Sequence, residues 1–185
     1  WTKLMVETML ADFEPAYGLR WAALRYFNAA GADAAADIGE WHDPESHLIP
    51  RVLDAALNGR HPVHVYGTDY PTPDGTCIRD YIHASDLADA HVRALEHLAA
   101  GGAGGAFNLG QGRGYSVREV IRKVSDVTGR QMAVQTLDRR PGDPPVLIAS
   151  NQKALQQLGW APRHSDLENI IASAWQWHRK MRGKE

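Results

Sequence analysis

The sequence lacks a long apolar run, an excess of basic residues and a pair of cysteines. No stretch approaches the roughly 18 consecutive apolar residues of a membrane-spanning helix, and we expect neither a membrane association nor a secretory signal. The 20 basic and 22 acidic residues give a formal net charge of −2, so no basic surplus is available to bind nucleic acid. The single cysteine, Cys77, has no disulfide partner in the chain, which favours a reducing cytoplasm.

What is present is the ordinary composition of a globular protein. Of the 185 residues, 44% are hydrophobic and 23% are charged, which suits one core or one core with a small annex. The chain opens at Trp1 directly in a helical pattern of Leu4, Met5, Met9 and Phe13, with no helix-start signal before it. We therefore expect an N-terminal part of the protein to precede Trp1.

Helical and extended patterns alternate along the chain. Amphipathic spacing predicts helices over 3–17, 46–58, 86–99, from Ser116 to Gly129, 151–158 and 166–181. Apolar and β-branched runs predict strands over 20–26, 63–66, 106–109 and 132–137. The predicted N-caps include Ser85, Ser116 and Ser165, the last two with a glutamate three positions on. The alternation predicts an α/β fold.

A glycine-rich segment, Gly110-Gln-Gly-Arg-Gly114, lies between a predicted strand and a predicted helix, where a dinucleotide fingerprint would lie. Its spacing differs from GxGxxG, and the Ser116 capping box already supplies the helix start. We interpret it as a tight turn. No GxSxG elbow occurs and Cys77 has no diagnostic neighbours, so neither a hydrolase nor a thiol enzyme is indicated.

Nine histidines invite the hypothesis of a metal site. The pairs His61/His64 and His91/His97 match no zinc signature and lack a set of cysteine or carboxylate partners. We interpret these histidines as solvated or hydrogen-bonded and expect no metal ion.

Two motifs place an arginine beside an acidic residue: Arg79-Asp80-Tyr81 and Arg139-Arg-Pro-Gly-Asp143. A guanidinium fork suits phosphate oxygens, and a nearby carboxylate can accept hydrogen bonds from ribose hydroxyls. The same pairs can equally form internal salt bridges, and composition alone does not decide between the two. By its spacing alone, Lys3 is a solvated helix lysine.

Several segments occur together in one order along the chain and carry a family resemblance. They are Leu24-Arg-Tyr-Phe-Asn28 with Gly31-Ala32, His47-Leu-Ile-Pro50, Tyr70-Pro-Thr-Pro-Asp-Gly-Thr76, Arg79-Asp-Tyr-Ile-His83, Asp86-Leu-Ala88, Asn108-Leu-Gly110 and Arg139–Asp143. Together they resemble the UDP-glucose 4-epimerases of the extended short-chain dehydrogenase/reductase family. The resemblance runs from Lys3 to about His178 and covers roughly the C-terminal half of such an enzyme.

The resemblance implies a fold and its division. The expected architecture is α/β, namely the C-terminal part of an NAD(P)-binding Rossmann-like fold with a smaller mixed α/β substrate-binding domain. Residues 1–27 would end the Rossmann-like domain, and residues 28–185 would form mainly the UDP-sugar-binding domain. Segments around 77–110 would return to the Rossmann-like sheet. The glycine-rich NAD loop would precede Trp1, and the intact enzyme would be a homodimer.

The resemblance also implies NAD as the cofactor. Thr2-Lys3-Leu4 looks like the end of the family's Tyr-x-x-x-Lys motif, so the catalytic Lys3 would bind the nicotinamide ribose and hold down the pKa of the tyrosine. That tyrosine would lie four residues before Lys3, ahead of Trp1. Tyr26 and Phe27 match positions that line the nicotinamide side of the site.

A UDP-sugar is the implied substrate, and its contacts are spread over several segments. Asn28 matches a residue that bonds the UDP-sugar. His47 and Leu48 match a helix start that faces the pyrophosphate, where backbone N–H groups suit an anion. His64 and Tyr66 match the uracil pocket, where an aromatic ring can cover the base.

The two arginine motifs take roles from the same resemblance. Arg79 and Arg140 match two diphosphate-binding arginines, Tyr81 supports that region, and Asp143 matches the acid that takes the ribose hydroxyls. Leu147 departs from the pattern, since some members carry there a tyrosine that closes the sugar pocket. The smaller leucine would leave room for N-acetylated UDP-sugars.

The implied activity is the interconversion of UDP-glucose and UDP-galactose. A hydride leaves C4 of the sugar for bound NAD, and the resulting 4-keto sugar rotates and takes the hydride back on its other face. Two alternatives stay open at this point. One is another nucleotide-sugar epimerase or dehydratase of the extended family, and the other is a non-catalytic fragment that binds nucleotide sugars.

Overall fold

The structure, a computed structural model, describes residues 1–59 and 61–182. Its helices are α1 (Thr2–Tyr17), α2 (Leu48–Asn58), α3 (Ala84–Ala99), α4 (Val117–Thr128), α5 (Gln152–Leu158) and α6 (Leu167–Arg182). Its strands are β1 (Ala22–Tyr26), β2 (Asn28–Ala30), β3 (Val63–Tyr66), β4 (Ile78–Arg79), β5 (Tyr81–His83), β6 (Gly105–Leu109), β7 (Tyr115–Ser116), β8 (Val134–Leu137) and β9 (Val146–Leu147). Within these residues, none of the helices has both the length and the apolar content needed to cross a membrane.

The first helix lies antiparallel to the first strand. α1 ends at Gly18, whose left-handed φ of 67° lets its N–H bond to the carbonyl of Glu14. Trp21 Nε1 donates to the Glu14 carboxylate at 3.1 Å, and Arg25 on β1 forms an ion pair with Glu7. These contacts bring the start of α1 and the end of β1 to the same edge of the fold.

Parallel strand pairs join distant segments of the chain. β1 pairs with β6, with Ala22 opposite Gly105, and β2 pairs with β5, with Asn28 opposite Tyr81. Helix α3 connects β5, the partner of β2, to β6, the partner of β1. The predicted α/β class is therefore confirmed at the level of the strand pairs.

A second group of strands carries four of the residues predicted to bind the UDP-sugar, namely His64, Tyr66, Arg79 and Leu147. β3 pairs in parallel with β8, while β4 pairs antiparallel with β7 and parallel with β9. The sequence predicted β3 and β8. It did not predict β2, β4, β5, β7 and β9, because strands of two or three residues are too short to show an alternating pattern.

Buried side chains form two clusters. One lies among α2, α4 and α6 and includes Val52, Val124 and Ile170, each fully buried. The other lies among β6, α3 and α5 and includes Phe107 and Trp160, also fully buried. Each of these large apolar side chains contributes about 1.5–3 kcal/mol to folding through burial.

Strand β5 contributes to both clusters. Tyr81 belongs to the first and Ile82 to the second, because successive residues of a strand point to opposite faces. The boundary expected at residue 27, and the assignment of the two parts to a cofactor domain and a substrate domain, stay predictions.

Two of the predicted helix starts can be compared directly. The capping box is confirmed, since Ser116 Oγ accepts from the N–H of Glu119 at 3.0 Å and the Glu119 carboxylate accepts from the N–H of Ser116 at 2.7 Å. The prediction of Ser85 as an N-cap is wrong. The N-cap is His83, whose Nδ1 accepts from the N–H of Ser85 at 3.0 Å.

The start of α6 also differs from the prediction. Ser165 does not cap this helix, because Asp166 Oδ1 accepts from the N–H of Asn169 at 3.0 Å. Ser165 instead donates to the buried carboxylate of Asp86 and accepts from the N–H of His83 at 2.8 Å. The local spacing could not reveal this use of the hydroxyl between distant segments.

Candidate nucleotide-sugar site

A cavity of about 410 Å³ opens where β2, α2, β3 and the loop after β8 meet, a volume within the usual range for small-molecule sites. All the residues predicted to contact cofactor or substrate line it, except Lys3 and Leu147. They are Tyr26, Phe27, Asn28, His47, Leu48, His64, Tyr66, Arg79, Tyr81, Arg140 and Asp143. The lining also includes residues that the sequence did not single out, namely Glu40, Ser46, Arg51, Cys77 and Val117.

The N-terminus of α2 forms one wall of the cavity. His47 is the N-cap, and no side chain caps the helix. Pro50 at the third helical position has no N–H, so the first turn offers the backbone N–H groups of Leu48 and Ile49. These donors and the positive end of the helix dipole suit an anion, as the resemblance implied.

The two arginine motifs meet beside this wall. Arg79 Nη2 donates to Asp143 Oδ1 at 3.2 Å, and Nη1 donates to the carbonyl oxygens of Pro144 and Ile78 at 2.8 and 2.9 Å. The Arg79 side chain is mostly buried, at 15% exposed. The internal salt bridge and the position in the cavity thus occur together, so the two interpretations of these motifs do not exclude each other.

Arg140 occupies a different environment from Arg79. Its guanidinium carbon lies 3.8 Å from the centre of the Tyr66 ring, and His64 meets the same ring edge-on, with 6.2 Å between ring centroids. Arg140, with a smaller contribution from Arg51, lowers the pKa of the Tyr66 phenol. A cationic and aromatic surface therefore forms at this end of the cavity.

Asp80 holds the centre of the site together rather than lining it. Its carboxylate is buried and accepts from the N–H groups of Gln111 and Gly112 at 2.9 and 3.1 Å and from that of Ala149 at 3.2 Å. Burial raises the pKa of Asp80, against the lowering effect of these three donors. Asp80 is therefore not available to ribose hydroxyls, unlike Asp143.

The same bonds explain the glycine-rich segment 110–114. Its N–H groups at Gln111 and Gly112 are bound to Asp80 and do not face a phosphate. A Cβ at Gly110 would lie 2.6 Å from Asp80 Oδ2, so the close approach requires glycine. The segment is therefore a structural connection between β6 and β7, which supports its interpretation as a turn rather than a phosphate loop.

Asn28 is fixed by the backbone of the neighbouring strand. Its Nδ2 donates to the carbonyl of Asp80 at 2.7 Å, which orients the amide beside the cavity. Tyr81 is buried in the first core cluster, and burial raises the pKa of its phenol. Tyr81 thus supports the site through packing, as the resemblance implied.

Lys3 lies outside the cavity lining. It is exposed on the first turn of α1, about one helical turn before Glu7. The Glu7 carboxylate pairs with Arg25 on β1, and β1 leads directly into Tyr26 and Phe27 of the cavity lining. The ion pair therefore ties the helix that carries Lys3 to the strand that enters the cavity.

Leu147 also lies outside the cavity lining. It is 43% exposed on β9, opposite Arg79, and its carbonyl accepts from the N–H of Asp80 at 3.1 Å. Its backbone is therefore part of the site's framework, and its side chain is partly exposed.

The histidines considered from the sequence lie in three environments: His61 is exposed, His64 lines the cavity, and His91 and His97 contact backbone carbonyls. His91 Nδ1 lies 2.7 Å from the carbonyl of Leu87, and His97 Nε2 lies 3.0 Å from that of Ala103. A different set converges in space, Glu40, His42, Glu45 and His47, whose ligand-type atoms all lie within 4.8 Å of one another. Their close spacing as Glu-x-His-x-x-Glu-x-His was the signal that could have found them.

Arg51 was also missed. It follows His47 by four residues and so lies on the same face of α2, where it joins Arg140 beside Tyr66. The spacing was visible in the sequence, but nothing local indicated that this helix face turns toward the cavity.

Residues 1–110 match the model of the NAD dependent epimerase/dehydratase family. The chain belongs to this family. The α/β class and the resemblance to extended short-chain dehydrogenases/reductases are confirmed by this match.

The curated relatives that match nearly the whole of this chain are named UDP-glucose 4-epimerases. A UDP-glucose 4-epimerase of Halalkalibacterium halodurans is 53% identical over 179 residues, which make up 97% of this chain and 54% of the relative. The chain thus spans about half the length of the curated relatives that it matches.

Solved structures of the same class superpose closely on this family member. UDP-glucose 4-epimerase from Brucella ovis, in complex with NAD, is 53% identical with a TM-score of 0.91, over 96% of this chain and 55% of that one. The enzyme from Stenotrophomonas maltophila, with bound NAD and formylated UDP-arabinopyranose, is 43% identical with a TM-score of 0.94, over 100% of this chain and 55% of that one.

Proposed function

We propose that this chain forms the UDP-sugar-binding part of an NAD-dependent UDP-glucose 4-epimerase, which interconverts UDP-glucose and UDP-galactose in galactose metabolism. The observation that carries the proposal is the cavity itself. Residues from segments up to 117 positions apart, from Tyr26 to Asp143, line one space and offer donors for a diphosphate, an aromatic surface for a base and an acid for a ribose. The names of the relatives supply the sugar and the reaction.

Positive charge in the cavity supports the binding of a diphosphate. Arg79, Arg140 and Arg51 line the cavity together with the uncapped N-terminus of α2. Guanidinium forks and free backbone N–H groups are both favourable partners of phosphate oxygens. We assign Arg140 the main role, because the fork of Arg79 is largely engaged by Asp143, Pro144 and Ile78.

Two aromatic rings and a carboxylate support the binding of the nucleoside. Tyr66 and His64 offer an aromatic surface for uracil, and Asp143, with its side chain 39% exposed, can accept from ribose hydroxyls. The Arg79 ion pair holds Asp143 in place while leaving carboxylate lone pairs free. The grip on UDP is thereby distributed over side chains from two strands, one helix and one loop.

NAD fits the remaining side of the cavity. Tyr26 is half-exposed at the end of β1, Phe27 follows it in the cavity lining, and the ion pair of Glu7 with Arg25 ties the helix that carries Lys3 to the same strand. An ammonium group at this edge suits ribose hydroxyls and the stabilisation of a nearby phenolate. When bound, NAD supplies a reversible hydride acceptor for C4 of the sugar.

The hexose receives few contacts from this chain, and this division suits an epimerase. The 4-keto sugar must turn over between the two hydride transfers, so the enzyme benefits from a firm grip on UDP and a loose one on the sugar. We extend the proposal to UDP-N-acetylhexosamines, because position 147 carries the partly exposed Leu147 rather than a bulky aromatic ring.

The proposal also includes an oligomeric state and a cellular compartment. We infer a homodimer, supported by α1, none of whose residues is buried although it presents Leu4, Met5, Met9 and Phe13. We infer the cytoplasm from the single free and buried Cys77. Sedimentation equilibrium of the protein and of Met9→Glu tests the dimer, whose dissociation should increase in the variant.

Titration calorimetry tests the binding function. We expect the chain to bind UDP and UDP-glucose, and to bind ADP more weakly because the base pocket is shaped by Tyr66 and His64. Turnover is tested on a form of the protein that carries the tyrosine four positions before Lys3, by conversion of UDP-galactose to UDP-glucose with NAD. Equal affinity for UDP and ADP, or no binding of either, would contradict the assignment of the cavity.

A further inference from the structure

Four side chains with metal-binding chemistry converge in the segment that leads into α2. The His–Glu cluster consists of Glu40, His42, Glu45 and His47, and one nitrogen or oxygen of each lies within 4.8 Å of the others. The nucleotide-binding function uses only the position of His47 as N-cap, so the four side chains together have no assigned role.

Two distances within the cluster are close to those of a tetrahedral metal site. His42 Nδ1 lies 3.3 Å from Glu40 Oε1 and 3.6 Å from Glu45 Oε2. A zinc ion about 2.0–2.1 Å from each of four ligands separates neighbouring ligand atoms by about 3.3–3.4 Å. His47 Nδ1 is in direct contact with Glu40 Oε1 and would move away from it as both turn toward an ion.

Glu45 is oriented toward the centre of the cluster. Its side chain is only 8% exposed, and its Oε1 accepts from the N–H groups of Ser46 and His47, both at 2.8 Å. Its Oε2 faces His42 Nδ1 at 3.6 Å, too far for a hydrogen bond. One carboxylate oxygen is thus anchored by the backbone while the other is directed at the remaining ligand atoms, as in sites where outer contacts orient a ligand.

The charge of the cluster also favours a cation. The Glu40 side chain is 18% exposed, so two largely buried carboxylates lie together with two imidazoles. The side chains of His42 and His47 are 51% and 61% exposed, so the carboxylates form the covered side of a cluster that is open to solvent at its histidines. Two like charges held side by side favour a compensating positive charge. A divalent ion balances both carboxylates and is coordinated by the two imidazole nitrogens.

The segment is held in place on its outer side. Trp177 Nε1 on α6 donates to the carbonyl of Glu40 at 3.1 Å, and a Cβ at Gly39 would lie 2.4 Å from the Trp177 ring. The backbone that carries Glu40 is therefore packed against a helix before any ion binds.

We propose that the His–Glu cluster is a structural zinc site that ties the segment 40–47 to the N-terminus of α2. Two imidazoles and two carboxylates would complete a four-coordinate zinc shell and leave no position for a reacting water. A hard ion such as Mg²⁺ prefers six oxygen ligands and fits this set poorly. Because Glu40 and His47 also line the cavity, the ion would stiffen one of its walls.

Zinc binding to the full chain tests the proposal. We expect the metal-stripped protein to bind one Zn²⁺ per chain in a competition titration against a chromophoric chelator, with no competition from Mg²⁺. His42→Ala should weaken zinc binding by at least about tenfold, since loss of even an outer-shell partner has an effect of that size. Glu45→Gln should weaken it as well.

The controls separate this site from adventitious binding. His61→Ala removes an exposed histidine outside the cluster and should bind zinc like the wild type. Circular dichroism shows whether each variant folds, and a cobalt-loaded wild type should have the absorption spectrum of a tetrahedral N/O site. Equal zinc affinity of folded wild type and His42→Ala, or an octahedral cobalt spectrum, would overturn the proposal.

Discussion

Arg79 and Asp143 lie 64 positions apart in the chain, and their side chains meet at 3.2 Å on one wall of the cavity. Arg79 also donates to the carbonyl of Pro144, so it holds both a side chain and the backbone of the loop that carries Asp143 and Arg140. The arginine therefore fixes the position of the loop from which the proposed ribose and diphosphate contacts project.

Asp143→Asn should separate the ribose contact from the diphosphate contact. The variant keeps the size of the side chain but loses the charge that accepts strongly from ribose hydroxyls, so uridine and UDP should both bind more weakly, by a similar factor. Stability should fall by less than about 1 kcal/mol, because the ion pair is partly exposed. Calorimetric titrations with uridine and UDP, beside a thermal melt, measure both effects. A selective loss for UDP alone would assign Asp143 to the diphosphate instead.

Arg140→Lys should weaken UDP binding by about 1.5–3 kcal/mol, the range for hydrogen bonds to charged groups, because lysine lacks the planar fork. Arg139→Lys is the matched control, since Arg139 pairs with Asp69 and is not part of the cavity lining. Unchanged UDP affinity together with a lower melting temperature in Arg140→Lys would make its contact with Tyr66 purely structural.

Asp80→Asn should lower the free energy of unfolding by about 1–3 kcal/mol. The amide group of asparagine would turn a donor toward at least one of the N–H groups of Gln111, Gly112 and Ala149, and leave that buried donor unsatisfied. Asp138→Asn, at an exposed position, should have no comparable effect. Urea denaturation of both variants gives the comparison, and equal stabilities would contradict the proposed role of Asp80.

Protonation of His83 should lower the free energy of unfolding in mild acid. Burial lowers the pKa of this imidazole, whose Nδ1 caps α3 by accepting from Ser85. The unfolded chain therefore binds a proton more readily than the folded one, so stability is full above the ordinary histidine pKa of about 6.5 and falls as the pH drops below it.

The variant His83→Asn keeps a capping side chain but cannot titrate in this range. Its stability, measured by urea denaturation at a series of pH values between about 7.5 and 5, should change less with pH than that of the wild type. An identical pH dependence in both proteins would show that other groups cause the acid loss.

Leu147→Tyr should narrow the range of substrates. If the catalytically complete enzyme converts UDP-N-acetylglucosamine as well as UDP-glucose, the bulkier tyrosine should lower kcat/KM for the N-acetylated sugar selectively, by steric exclusion. Leu147→Met is the volume-matched control. Failure of the wild type on the N-acetylated sugar, or equal losses on both sugars, would leave Leu147 without a role in specificity.

The sequence by itself determined the features that depend on neighbouring residues. The capping box of Ser116 and Glu119 and the ends of helices at Gly18 and Gly129 need only contacts within about four positions, and they are where the pattern predicted them. The order of motifs also identified the family, because each motif matches the family's positions independently of how the chain folds between them.

The tertiary structure alone decided which side chains meet across long stretches of chain. Arg79 pairs with Asp143, Ser165 binds Asp86 rather than capping its own helix, and the buried Asp80 collects N–H groups from two loops. Local spacing favours an exposed salt bridge or an N-cap for such residues. Burial changes the outcome, since a polar group removed from water must find its partners wherever the packed elements present them.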